Sequence, residues 1–172
     1  MSQPSRRPAP ALARGVLLSA VVGVVASTLV ACGGPVEIES HDLDAADRER
    51  CEAFVADLPD TMAGEERVEV SPDDALGAAY GDPPLVVACG VPVPDGFDQT
   101  AQCQVADGVG WYLDPEILDD QDADATLTAA GNRPIVSVTV PGGEGRGDRA
   151  AAAIAVLADA VKAHLPEELR CD

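Results

Sequence analysis

Tyr80-Gly-Asp-Pro-Pro-Leu-Val-Val-Ala-Cys-Gly-Val-Pro-Val-Pro94 is the densest apolar stretch beyond residue 32. Within it, Leu85 to Cys89 forms a continuous apolar run bounded by Pro84 and Gly90, a pattern that suits a strand covered on both faces. Pro92 and Pro94 end the strand, since neither can donate to a ladder. The approach to it, Tyr80-Gly81-Asp82-Pro83, reads most simply as a rigid turn. Gly81 permits close backbone approach there, and Pro83-Pro84 stiffens the chain. Its functional reading is a binding surface that includes Tyr80 and Asp82.

A strand of this kind needs neighbours. Downstream, residues 102–105 and 109–113 read as two strands joined at Ala106-Asp107-Gly108, where Asp-Gly is a strong hairpin signal. Trp111, the single tryptophan, reads as a core anchor. Residues 126–130 and the run Ile135, Val136, Val138, Val140 supply two more strands, and Val68-Glu69-Val70 a short one. Residues 142–147, rich in Gly, read as a flexible loop.

Two helices flank the strands. Asp44 is a natural cap, Asp47 adds negative charge in the first turn, and Cys51, Phe54, Val55 and Leu58 form one apolar stripe before Pro59. The expected helix is 45–58. Asp148 is expected to cap a second, Ala-rich helix bearing Ile154, Leu157, Ala158, Val161 and Leu165, which Pro166 ends. The sum is an α+β domain: an antiparallel sheet of about four to six strands with two flanking helices, stabilised by disulfides.

Ahead of this domain the composition changes. Arg6, Arg7 and Arg14 precede an uncharged run of seventeen residues, 15–31, which ends Leu29-Val30-Ala31-Cys32. Basic start, apolar middle and small-residue end are the three parts of a secretory leader. As a permanent span the run sits at the short edge of the roughly 17–25 residues required. A small residue directly before a cysteine is how a bacterial lipoprotein leader ends, so Cys32 is expected to carry a diacylglycerol and fatty-acyl (palmitate) anchor. The expected organisation is a leader at 1–31, a lipidated cysteine and short tether at 32–42, and one extracytoplasmic domain at 43–172. A tether of nine residues reaches at most about 30 Å.

Three of the 11 basic residues precede Cys32, which leaves 8 against 30 acidic ones, or −22. Nucleic-acid binding depends on Lys and Arg neutralising phosphates, so it is excluded as a partner. The same balance opposes lying flat on an anionic bilayer, which assigns membrane attachment to the lipid on Cys32. With Cys32 set aside, Cys51, Cys89, Cys103 and Cys171 remain. An even count in an exported domain reads as two disulfides with three pairings available. The expected pairing is Cys89 with Cys103, on neighbouring strands, and Cys51 with Cys171, joining the two helices.

The chain resembles a family of actinobacterial lipoproteins catalogued as a domain of unknown function, family 3515. The residues that carry the resemblance are Cys51 with Leu58-Pro59; Tyr80-Gly81-Asp82-Pro83; Cys89-Gly90-Val91; Gly108-Val109 with Trp111; and Arg133 ahead of the run from Ile135 to Pro141. Tyr80 stands where the family usually has Trp, and Ala88 where it usually has Arg. The resemblance implies a membrane-anchored extracytoplasmic protein and no known activity.

The inventory for chemistry is thin. Asp120-Gln-Asp122-Ala-Asp124 repeats the first ligand positions of a calcium loop, but Ala125 and Gly131 occupy positions that need Gly and Glu. Residues 114–124 therefore read as a solvated acidic loop, and no metal or cofactor is expected. No Ser lies in a G-x-S-x-G elbow; His41 lies in the tether and His164 near the end of the last helix. The chain is expected not to be an enzyme. It is expected to be a lipid-anchored module at the outer face of the cell membrane, binding an envelope protein partner through a surface with Tyr80, Asp82 and Arg133. The bland reading of Arg133 is a surface salt bridge. The runner-up function is a carboxylate-dependent hydrolase of envelope polymers, which would need two convergent carboxylates in a deep cleft.

Overall fold

The computed structural model describes residues 34–98 and 100–171. The leader and Cys32 lie outside the described residues. The first helix, α1 (Ala45–Ala56), is capped as its sequence dictates: the Asp44 carboxylate accepts from the Asp47 amide at 2.8 Å. Cys51 and Phe54 form its buried side, and Leu58, two residues beyond the helix rather than on it as expected, is buried as well.

Ten strands follow the chain order: β1 (Val36–Glu37), β2 (Thr61–Met62), β3 (Glu65–Val68), β4 (Val70–Ser71), β5 (Gly77–Tyr80), β6 (Leu85–Cys89), β7 (Cys103–Ala106), β8 (Val109–Leu113), β9 (Ala125–Thr128) and β10 (Val136–Val140). Eight form one sheet in the order β2-β3-β5-β6-β10-β9-β8-β7. Every neighbouring pair in it is antiparallel. The expected four to six strands fall short because β2 is two residues long and β5 reads Gly-Ala-Ala-Tyr, too small-sided to show alternation.

The β7–β8 hairpin closes on Asp107 and Gly108 with φ of 47° and 85°. Both positive values match the primed turn that the right-handed twist of paired strands prefers. Strand β6 alternates rather than being covered on both faces. Leu85, Val87 and Cys89 are buried, while Val86 and Ala88 on the opposite face are half-covered. The reason is that both long helices pack on one side of the sheet. The second of them, α3 (Arg146–His164), buries Ala153, Ile154, Leu157, Ala158 and Val161 against it and touches α1. Trp111, Phe54 and Tyr80 are fully buried in that layer.

Helix α3 starts earlier than Asp148 suggests. Its N-cap is Gly145, which offers no side-chain bond. Buried Arg146 donates to the carbonyls of Ile117 (3.0 Å), Asp120 (2.5 Å) and Ala123 (2.7 Å), fixing helical backbone ahead of Asp148. The expected acidic loop is thus wrapped on a guanidinium, and it contains a short helix, α2 (Pro115–Leu118), capped by Asp114.

Both disulfides exist, with a different pairing from the expected one: Cys51 bonds Cys89, and Cys103 bonds Cys171. Strand order explains the correction. Cys89 ends β6 and Cys103 opens β7, four positions apart in the sheet, or about 19 Å at the usual strand spacing. That exceeds the roughly 7 Å limit on Cα separation in a disulfide. Cys51 faces β6 from α1, with Cα atoms 5.6 Å apart. Cys171 reaches β7 by returning across the outer face of β8, where its carbonyl lies against Gly110.

The segment read as a short tether is in part docked. Val36 pairs in parallel with Val70, the Ile38 amide donates to the Ser71 carbonyl at 2.9 Å, and the Ile38 side chain is buried against Gly77.

Candidate functional site

The three residues expected to form one surface do not meet. Tyr80 is a core residue, fully buried, and its hydroxyl donates to the Pro59 carbonyl at 2.9 Å. Burial raises its phenol above the ordinary value of 10.0, Arg67 lowers it and Asp60 raises it. Asp82 is exposed on the turn that Gly81 (φ 78°) makes possible. Tyr80 pairs with Leu85 at the start of β6, whereas β10 begins opposite Cys89 at its end. Four residues of strand, about 14 Å, therefore separate Tyr80 and Asp82 from the neighbourhood of Arg133.

Arg133 stands where chemistry can occur. It precedes β10 and lines a groove of ≈ 300 Å³ with Leu43, Val91, Val93 and Ile135 among its walls. Gly90 shapes that groove. Its φ of 83° turns the chain out of β6, its amide donates to the Ile135 carbonyl at 2.8 Å, and a side chain there would strike Leu43.

The guanidinium is fixed by main chain rather than by an acid. Arg133 Nη1 donates to the carbonyls of Ala130 at 2.8 Å and Asn132 at 2.7 Å. Among the described residues no carboxylate lies within 4.0 Å of it, so the expected surface salt bridge is absent there. Nε and Nη2 have no hydrogen-bond or ion-pair partner among the described residues. Asp47, on the same groove, is paired with Arg50 at 2.7 Å. The result is an oriented cation beside an apolar wall, with three N–H donors unused.

A larger depression of ≈ 670 Å³ lies toward the β7–β8 edge of the sheet, at Tyr112, with Asp95, Asp114 and Glu116 on its rim. Phe97 meets Tyr112 edge-on, ring centroids 5.5 Å apart. Burial raises the Tyr112 phenol above 10.0, and Asp114 and Asp98 add to it. This rim continues the acidic surface, and no basic group lines it among the described residues.

In the loop read against a calcium site, the Asp120 carboxylate accepts from the amides of Asp122 and Ala123, and Asp124 accepts from the Gly142 amide. Arg146 already takes three of the loop's carbonyls. Among the described residues no helix is long and apolar enough to cross a membrane.

A model of the family described as "Protein of unknown function (DUF3515)" matches residues 12–169. No curated protein and no solved structure matches the chain.

Proposed function

We propose, for a chain that belongs to the DUF3515 family, a lipid-anchored extracytoplasmic module that acts by binding at the cell envelope. The observation that carries this reading is the Arg133 groove. A guanidinium held by two carbonyls, with no carboxylate within 4.0 Å among the described residues, is a preorganised donor set in a chain with 30 acidic residues. Preorganisation of this kind lowers the ordering cost of association.

Attachment rests on Leu29-to-Cys32 and the basic, uncharged leader before it. Ile38 is docked on β5, so a lipid on Cys32 would hold that end of the domain within about 20 Å of the bilayer, six extended residues away. The groove lies at the same end, since Gly90 and Arg133 follow the end of β6 that pairs with Gly77. Metabolic labelling with a fatty-acid analogue tests attachment. Label on the wild-type protein and none on Cys32→Ser is the expected result; equal label on both would remove the membrane from the account.

A further inference from the structure

We infer that the Arg133 groove takes a carboxylate joined to a small apolar group, such as the free C-terminus of a peptide ending in an aliphatic residue. The inference rests on the binding reading above and gives its ligand a chemical class.

The donor geometry points to the acid. Nη1 is saturated by the Ala130 and Asn132 carbonyls, which leaves Nε and Nη2 as the unpaired edge of the guanidinium among the described residues. Two parallel N–H donors at that spacing match the two oxygens of a carboxylate. The two carbonyl bonds hold the plane of the group, so its direction is set before a ligand arrives. A lysine could present charge here but not the paired donors.

The walls point to the rest of the ligand. Leu43, Val91 and Ile135 give the groove an aliphatic side, and Val93 is 51% exposed at its lip. The volume of ≈ 300 Å³ lies at the small end of ligand sites, enough for one or two residues rather than a long polymer segment. Asp42 also lines the groove and opposes an anion, and the whole surface repels one at long range. Added salt screens that repulsion while a bidentate contact at close range persists, so affinity should hold or rise with salt.

A carboxylate can come from a peptide end or from an acidic sugar, and the test separates the two. The mature domain, labelled for NMR, is titrated with an N-acetylated tripeptide ending in valine, with its C-terminal amide, and with galacturonate. Saturable shifts of Gly90, Val91 and the Arg133 Nε signal are expected with the peptide acid, and not with the amide. Galacturonate shifting the same signals as strongly would keep the carboxylate and discard the aliphatic part. Arg133→Gln should weaken binding roughly tenfold or more, as loss of a charge-assisted bidentate contact does.

Arg133 also ties Ala130 and Asn132, so a second variant guards against a folding defect. Val93→Asp changes an exposed side chain and places a like charge at the lip; it too should abolish binding. Equal binding of acid and amide, unchanged binding in both variants, or no saturable shift with the acid up to about 10 mM would overturn the inference. If envelope components are still captured by Val93→Asp, the ligand class fails while the binding reading stands.

Discussion

The Tyr80 hydroxyl donates to the Pro59 carbonyl at 2.9 Å, tying the end of β5 to the chain leaving α1. Tyr80→Phe keeps the ring and removes the donor. It should cost about 1–2 kcal/mol, read as a shifted urea midpoint at unchanged slope. The pH dependence has a definite sign. Burial raises the phenol above 10.0 in the folded state, so the stability it contributes is fully present below that value. It is lost as pH rises past 10.0 through the folded value, because the unfolded chain releases the proton first. The alkaline fall in stability should shrink in Tyr80→Phe, with Tyr112, also raised, supplying part of what remains.

Arg146 is the centre of the 117–124 loop rather than part of a flexible Gly-rich segment. The residue is 4% exposed, and its guanidinium donates to three carbonyls of that loop. Arg146→Met fills similar volume and leaves those acceptors short of a donor. The expected loss is about 3 kcal/mol or more, given 1.5–3 for each bond to a charged group and imperfect additivity. Amide exchange should accelerate at Ala123 and Gly142 before it does in β6. Unchanged exchange there would contradict the role.

The C-terminal segment is docked through absent side chains. A methyl at Gly131 would strike the Leu169 carbonyl, and the Glu168 amide donates to the Gly131 carbonyl at 2.9 Å. Gly131→Ala should therefore displace residues 167–171 and cost about 1–3 kcal/mol, as overpacking typically does. Proteolysis near residue 168 should rise in the variant, read by mass spectrometry. A cleavage pattern like wild type would refute the close-approach reading.

The disulfides give a covalent check on strand order. A non-reducing peptide map should recover Cys51 linked to Cys89 and Cys103 linked to Cys171. Removing the second pair, 68 residues apart, should cost about 4 kcal/mol in the chain-entropy account. A map linking Cys89 to Cys103 would require another sheet order.

How much of this was legible varies with how local the cause is. The Asp107-Gly108 turn, the Asp44 cap and the span of β6 follow from neighbouring residues, and the structure agrees with each. Strand β5 carries no periodic apolar signal because Gly77, Ala78 and Ala79 are buried by close approach rather than by apolar bulk. The disulfide pairing depends on which strands become neighbours, a property of the whole sheet. Arg133 was legible as a residue of interest, but its partners are carbonyls, and main-chain acceptors leave no mark in a sequence. Arg146 left no signal either, since an arginine inside the Gly-rich run 142–147 reads as part of a flexible loop.

A membrane-held module that binds through the groove at the end of β6 should be caught by photo-crosslinking from position 93 in intact cells. A discrete cross-linked envelope product is expected with the wild-type anchor, lost in Arg133→Gln and strongly reduced in Cys32→Ser. No product from position 93, or the same product in all three proteins, would contradict it.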